Sequence, residues 1–205
     1  QRIFTHTNSG NNVHQQYALS IDANNKLYFL AGNGDFEQND INSSNKSLNL
    51  DEWTYTSITY DGTAIRLYLD GILDFEHFVV DSFEPTFIGQ FLIGQRADGA
   101  EKFNGYLDNI QVWSSCLSQQ EIQFYMTSSP IGDEVGLAGY WNFNSAEGNI
   151  LYDRSGNRNH GTINGPDWNL DGCTYEYALN YNLNANTDDG SCIFYESCQL
   201  LFIDN

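Results

Sequence analysis

Residues 103–126, FNGYLDNIQVWSSCLSQQEIQFYM, combine a strand pattern with the start of a helix. The first half alternates between two faces over Leu107–Trp113, which predicts a β-strand. In the second half, Ser118 and Glu121 have the S-x-x-E spacing of a capping box, in which each residue can satisfy a backbone N–H at the beginning of a helix. The stretch therefore predicts a strand followed by one short helix over residues 118–127.

The same stretch resembles the closing strand and short helix of the LamG-like, concanavalin A-like jelly rolls, a superfamily that includes laminin G modules, pentraxins and legume-type lectins. The family pattern reads F-x-G-x-(I/L)-D-(D/E/N)-(V/I)-x-(V/I)-W and, a few residues later, L-S-x-x-E-I. The resemblance implies an all-β fold, a jelly-roll sandwich of two antiparallel sheets with one short helix. The matching residues are Phe103, Gly105, Leu107, Asp108, Ile110, Val112, Trp113, Leu117, Ser118, Glu121 and Ile122.

Strand and turn signals recur along the rest of the chain at the spacing typical of an all-β sandwich. Asn-rich and Asp-Gly turns separate the strands, since Asn and Gly adopt positive φ readily. Residues 32–47 are polar and rich in Asn and Ser, which predicts a loop. The predicted strands are Arg2–Thr7, Tyr17–Asp22, Lys26–Leu30, Trp53–Tyr60, Ala64–Leu69, Ile72–Val80, Phe91–Gly94 and Gly139–Asn144.

The charge balance excludes some classes of partner. The 205 residues include 8 Lys and Arg against 27 Asp and Glu, a formal net charge of −19 at pH 7. Nucleic acids and anionic membranes require basic contacts, so neither is an expected partner. No apolar run approaches the roughly 20 residues that cross a bilayer, so we expect no membrane insertion. An acidic surface suits calcium, a high-salt medium or simple solubility.

The chain divides into two expected units, a jelly roll over residues 1–169 and a Cys-rich unit over residues 171–198. Jelly rolls of the resembled family usually begin with strands that bear an A-L-x-F-D-G-x-x-D-Y-V segment, and nothing here matches it. The chain also begins at Gln1 rather than Met. We therefore expect it to be part of a longer multidomain chain in which the first strands are supplied elsewhere.

The second unit resembles a short G-C-T-x-x-x-A-x-N-Y-N…D-D-G-S-C repeat of large secreted or surface bacterial proteins. A unit this small cannot bury a sufficient core, and a Cys173–Cys192 bridge would compensate by about 3 kcal/mol. Cys116 and Cys198 remain, and they could tie the tail to the jelly roll if their geometry allows it. Four cysteines favour an oxidising compartment, so the expected location is extracellular, at the cell surface.

Calcium is the cofactor that we expect, and a resemblance of two loops to pentraxins implies the first candidate site. It combines an early turn with the loop over residues 94–101. In that loop Arg96 stands where pentraxins carry an acid, and a cation there opposes metal binding. The alternative is a solvated loop. The implied ligands are Asn24, Asn25, Asp98 and Glu101.

A second candidate calcium site lies in the C-terminal unit, where side-chain oxygens precede Gly190. Their spacing is similar to the D-x-D-x-D-G start of calcium loops, in which the glycine permits a sharp turn. The glutamate that closes such loops is missing. The alternative is a cluster of Asx turns held by the disulfide. The residues are Asn182, Asn184, Asn186, Asp188 and Asp189.

Enzyme chemistry finds little support in the sequence. Retaining glycosidases need two carboxylates about 5–5.5 Å apart, and the β-glucanases of the resembled fold take them from E-x-D-x-x-E on one strand. Neither Asp35-Phe36-Glu37 nor Asp74-Phe75-Glu76 has that order. The sequence contains no H-E-x-x-H, G-x-S-x-G, P-loop or C-x-x-C motif.

We therefore predict a non-catalytic binding or adhesion module for a glycan or a cell-surface protein. The alternatives are a structural spacer or assembly module of a surface filament, and a glycoside hydrolase. Exposed aromatic side chains would serve a sugar site, but Trp53, Trp113 and Trp141 occupy motif positions that predict core packing. Trp168 is the freer tryptophan.

Overall fold

A computed structural model of the chain is built mainly of β-strands and has one short helix among the residues that it describes. The described residues are 1–8, 15–31, 40–79, 89–96, 98–144, 148–166, 171–183 and 185–194. Their elements are β1 (Arg2–Asn8), β2 (Gln15–Ile21), β3 (Lys26–Ala31), β4 (Asp40–Ser47), β5 (Thr56–Tyr60), β6 (Ala64–Leu69), β7 (Ile72–Phe78), β8 (Gly89–Ile93), β9 (Ile110–Trp113), α1 (Gln119–Thr127), β10 (Leu137–Trp141), β11 (Ile150–Leu151), β12 (Gly161–Thr162), β13 (Asp171–Gly172) and β14 (Thr187–Asp188).

The two larger sheets form the sandwich. One has the strand order β4-β3-β2-β1-β8 and the other β5-β6-β7, and all of these pairs are antiparallel. Leu19, Leu27 and Phe29 of the first sheet pack in one cluster with Ile65 and Leu67 of the second. Burial of each such side chain stabilises the fold by roughly 1.5–3 kcal/mol. The predicted all-β sandwich of antiparallel sheets is confirmed.

Helix α1 begins as its capping box predicts. The backbone N–H of Glu121 donates to Ser118 Oγ at 3.3 Å, and the Ser118 N–H donates to Glu121 Oε2 at 2.7 Å. The helix then docks on the β6–β7 turn through a 3.0 Å bond from Gln123 Nε2 to the Gly71 carbonyl. Gly71 has φ +71°, and a Cβ there would lie 2.8 Å from Gln123 Cγ, so the close approach requires glycine. Among the described residues no helix has the length and apolar character needed to cross a membrane.

The prediction of a loop over residues 32–47 was wrong in its second half, because β4 pairs with β3 there. Polar side chains do not prevent strand formation at a sheet edge when the strand's own backbone is paired. Ser44 is buried, and it makes one hydrogen bond across to β3 and one within β4. Its Oγ accepts from the Leu27 N–H at 3.0 Å and donates to the Lys46 carbonyl at 2.6 Å.

Two further sequence predictions need correction. The predicted strand Leu107–Trp113 begins only at Ile110, because Asn109 adopts φ +51°, outside the extended region. Trp53 was expected in the core, but its side chain is 71% exposed because β5 begins three residues later. Trp141 is buried against Phe91 and Trp113 is half-buried against Tyr125, whereas Trp168 lies outside the described residues.

A single carboxylate fixes the loop after β11 to β10. Asp153 is buried, and it accepts hydrogen bonds from the Tyr140 N–H at 2.9 Å and the Asn159 N–H at 2.8 Å. The backbone N–H and the hydroxyl of Ser155 donate to it as well, both at 2.9 Å. The Asn157 amide extends the loop's contacts to the Leu137 carbonyl at 2.9 Å. These polar residues therefore have a structural role.

Candidate functional site

The loop after β8, which the sequence proposed as half of a calcium site, is organised by an arginine. Arg96 Nε and Nη2 donate to the two Asp98 carboxylate oxygens at 2.9 and 2.5 Å, and its Nη1 donates to Glu101 Oε1 at 2.7 Å. The Arg96 N–H also bonds to the Ala100 carbonyl at 3.0 Å. Hydrogen bonds from the Arg96 guanidinium and then from the Ala100 N–H hold the pKa of Asp98 well below its usual range.

A second arginine reaches the same loop from the start of the chain. The Arg2 side chain is 3% exposed, and its Nη2 lies 2.8 Å from Glu101 Oε2. The Arg2 N–H donates to the Glu101 carbonyl at 2.9 Å. Glu101 therefore bridges two guanidinium groups. No local sequence pattern predicts this contact, because the two residues are 99 positions apart.

The early turn holds the other two proposed ligands. Asp22 Oδ1 accepts from the Asn24 N–H at 2.8 Å and from the Lys26 N–H at 2.9 Å, and Asn25 takes φ +58°. This is an Asx turn, the structural role expected of such residues. The turn and the loop lie at the same end of the first sheet, because Gln1 bonds to Ile21 and the Gly94 N–H donates to the Ile3 carbonyl.

As placed, the two acidic side chains do not fit a calcium site, because guanidinium groups already neutralise them and would repel the ion. Within the described ranges, no group of three or more His, Cys, Asp or Glu side chains is placed to hold a metal. Calcium binding by this chain stays a prediction.

In the C-terminal unit the Cys173–Cys192 disulfide is present, as predicted. The Ser191 N–H donates to Asp189 Oδ1 at 2.8 Å, and the Gly190 N–H donates to Asp188 Oδ1 at 3.3 Å. Hydrogen bonds from the Ser191 hydroxyl and N–H lower the pKa of Asp189. These carboxylates serve Asx-type turns, the alternative that the sequence analysis gave for this cluster.

The remaining proposed residues of this unit are placed less completely. The Asn182 N–H donates to the Cys173 carbonyl at 2.9 Å, and the Thr187 hydroxyl donates to Asn186 Oδ1 at 3.3 Å. Asn184 lies outside the described residues.

Cys116 is an exposed free cysteine. Its proposed partner, Cys198, also lies outside the described residues, so that pairing stays a prediction, as do the boundaries of the two units.

The acidic pair on β7 is engaged in one contact between the two sheets and one within the second sheet. Asp74 Oδ2 accepts from the Asn45 N–H at 2.5 Å, which ties β7 to β4. Glu76 Oε2 lies 2.5 Å from Arg66 Nε, and Arg66 Nη1 lies 2.5 Å from Asp61 Oδ2. Hydrogen bonds from Arg66 and then from Thr63 hold the pKa of Asp61 well below its usual range. Asp35 and Glu37 lie outside the described residues.

An exposed aromatic pair is the feature that sequence reasoning missed. Trp53 and Tyr106 have ring centroids 6.4 Å apart and ring planes inclined by 39°. Their exposed fractions are 71% and 66%. Trp53 precedes β5, and Tyr106 occupies the variable position after Gly105 in the 103–126 stretch. The pair joins segments 53 positions apart, so only the folded structure reveals it.

Comparison with known proteins identifies the fold family. The Laminin_G_3 family model, described as the concanavalin A-like lectin/glucanases superfamily, matches residues 1–123 of the 205, about three-fifths of the chain. A candidate carbohydrate-binding protein from Bacteroides ovatus superposes with a TM-score of 0.59 at 19% identity. That match covers 81% of this chain and 50% of the other, and at this identity it shows the fold alone.

An S-layer domain-containing protein from Clostridium thermocellum matches with a TM-score of 0.36 and 22% identity, over 62% of this chain and 63% of the other. Superposition at that score carries no argument about fold or function. The chain thus spans half the length of the first neighbour and less than two-thirds of the second. No curated protein matches the chain.

Proposed function

Because the chain belongs to the Laminin_G_3 family of the concanavalin A-like lectin/glucanases superfamily, we propose that it is a non-catalytic extracellular module that binds a glycan. The observation that carries the proposal is the lectin-type sandwich itself, with its core formed between two antiparallel sheets. The Bacteroides ovatus protein with a similar fold, described as a candidate for carbohydrate binding, supports the same assignment.

The state of the acidic side chains supports binding rather than hydrolysis. A retaining glycosidase needs one carboxylate free to attack and a second that can donate a proton, about 5–5.5 Å apart. Here Asp61 and Glu76 are paired with Arg66, and Asp98 with Arg96. Asp61 and Asp98 are weak proton donors near neutral pH, because hydrogen bonds from their arginine partners lower the pKa of each.

The extracellular assignment rests on the Cys173–Cys192 disulfide, since disulfides persist in oxidising compartments. The module works within a longer protein in this proposal, because the neighbour of similar fold is about twice the length that this chain covers.

A glycan array probed with the intact, labelled chain tests the proposed function. We expect saturable binding to a restricted set of glycans, with no loss of the bound glycan to hydrolysis on prolonged incubation. A blank array would contradict glycan binding and would favour the spacer or assembly role. Release of shortened products from the printed glycans would contradict a non-catalytic module.

A further inference from the structure

The Trp53–Tyr106 pair exposes aromatic surface that the fold itself does not bury. A large aromatic side chain gains stability when it leaves water, so two neighbouring rings that are each more than half exposed forgo that gain. Exposed apolar surface of this kind marks sites that bind a partner or ligand. The ring planes are inclined by 39°, so the two rings are tilted rather than edge to face.

Hydrogen bonds anchor the backbone two residues away from each ring. After Trp53, the Tyr55 N–H donates to Asp70 Oδ1 at 3.0 Å and the Asp70 N–H returns to the Tyr55 carbonyl at 2.8 Å. Next to Tyr106, the Asn104 N–H donates to Gln1 Oε1 at 3.0 Å. An anchored backbone reduces the conformational entropy that is lost when a ligand binds.

The charges around the pair select the kind of ligand. Residues 49–55 and 102–109 contain three acids, Asp51, Glu52 and Asp108, and one base, Lys102, which is a local excess of negative charge. All three acids are exposed, and the whole chain carries a formal charge of −19. Sulfates and uronates would be repelled by this field, whereas an uncharged sugar would not.

Polar groups are also available in the segments that carry the rings. Asn104 is exposed, and within the described residues no hydrogen bond uses its side-chain amide. The Trp53 indole N–H can donate as well, since indole nitrogen is a donor only. A binding site that combines aromatic rings with a few such groups can fix the orientation of its ligand.

We propose that Trp53 and Tyr106 form the subsite on which an uncharged pyranose stacks its C–H face, with Asn104 contacting a sugar hydroxyl. The negative face of an aromatic ring attracts the weakly positive C–H groups of the sugar. This inference rests on the proposed function and deepens it, because it names the surface and excludes anionic glycans as the ligand class.

The test compares the intact chain with Trp53→Ala and Tyr106→Ala on two sets of probes, uncharged hexose oligosaccharides and sulfated or uronate-rich glycans. Tyr177→Ala is the matched control, since Tyr177 is 85% exposed in the C-terminal unit. We expect the wild type and Tyr177→Ala to bind uncharged oligosaccharides equally. Trp53→Ala and Tyr106→Ala should bind about tenfold more weakly or worse, with unchanged circular dichroism and thermal midpoint.

Three results would overturn the inference, and they separate it from the proposed function. Equal binding by Trp53→Ala, Tyr106→Ala and wild type would leave a glycan-binding module whose site lies elsewhere. Binding only to sulfated or uronate-rich glycans would be consistent with a glycan-binding module but would contradict an uncharged ligand. Absence of binding to every probe by the wild type would reject both.

Discussion

Asp153 shows how one buried carboxylate can anchor a segment that has little regular secondary structure. Four N–H or O–H donors from Tyr140, Ser155 and Asn159 converge on it, so the segment after β11 is anchored without a long strand pair. Removing the charge should leave some of these donors unsatisfied. We expect Asp153→Asn to lower the free energy of unfolding by about 2–3 kcal/mol in urea denaturation at pH 7. The exposed Asp108→Asn control should change it by no more than about 0.5 kcal/mol.

The same residue predicts a pH dependence. Burial alone would raise the pKa of Asp153, but hydrogen bonds from Tyr140, Ser155 and Asn159 outweigh burial and lower the pKa below 3.8. The unfolded chain therefore binds this proton more tightly than the folded protein. The stabilising contribution is present above pH 3.8 and is lost as pH falls through the lower folded-state pKa. The wild-type advantage over Asp153→Asn should shrink along that range, and an advantage that stays constant down to about pH 2 would contradict this account.

Arg96 predicts how the chain responds to calcium. Because its guanidinium already occupies both Asp98 and Glu101, we expect no calcium-dependent rise of the thermal midpoint that depends on Asp98. Differential scanning calorimetry measures this directly. A higher midpoint in calcium, removed by Asp98→Asn but retained in Asp189→Asn, would show that the metal displaces Arg96 and would contradict the prediction.

At the scale of elements, helix α1 depends on its cap because its buried contact with the rest of the protein centres on one residue, Ile122. Ser118→Ala should lower the free energy of unfolding by about 1 kcal/mol, since it leaves the Glu121 N–H without its acceptor. Gln120→Ala, an exposed change in the same helix, is the control and should be neutral or slightly stabilising. Equal stability of wild type and Ser118→Ala in denaturant would argue against a structural role for the capping box.

We expect the disulfide to stabilise the C-terminal unit and to have little effect on the stability of the sandwich. Cys173 and Cys192 are 19 positions apart, a loop whose closure contributes about 3 kcal/mol on an entropy estimate. In the Cys173→Ser/Cys192→Ser double variant, we expect amides within residues 171–194 to exchange rapidly while the β6 amides keep their protection. Hydrogen exchange read by mass spectrometry distinguishes this from a loss of protection in both regions, which would contradict two separate units.

Local signals in the sequence account for the elements that were predicted well. Ala64–Leu69 was placed at its observed bounds because Asp61-Gly62 and Asp70-Gly71 mark both of its ends. Strand β4 was not predicted because its polar composition is typical of a loop. Its strand conformation depends on pairing with β3, which a local sequence pattern does not indicate. The Arg2–Glu101 bridge and the Trp53–Tyr106 pair were missed for the same reason, since each joins segments that are distant in the chain.

At the scale of the whole molecule, the two sheets form the sandwich, and in the proposed function the surface side chains determine which ligand binds. Buried apolar side chains form the cluster between the sheets, and Arg2, Arg66 and Arg96 are each paired with acids. The surface left for a ligand is acidic and locally aromatic. This combination fits the proposed recognition of an uncharged glycan without chemical conversion.

Isothermal titration of the intact chain with an uncharged oligosaccharide selected on the glycan array tests that central claim most directly, because one trace reports both binding and turnover. The account predicts a saturable heat of binding that returns to baseline after every injection. A steady heat flow that continues while substrate remains, with shortened products in the cell, would contradict it by showing that the module is a hydrolase.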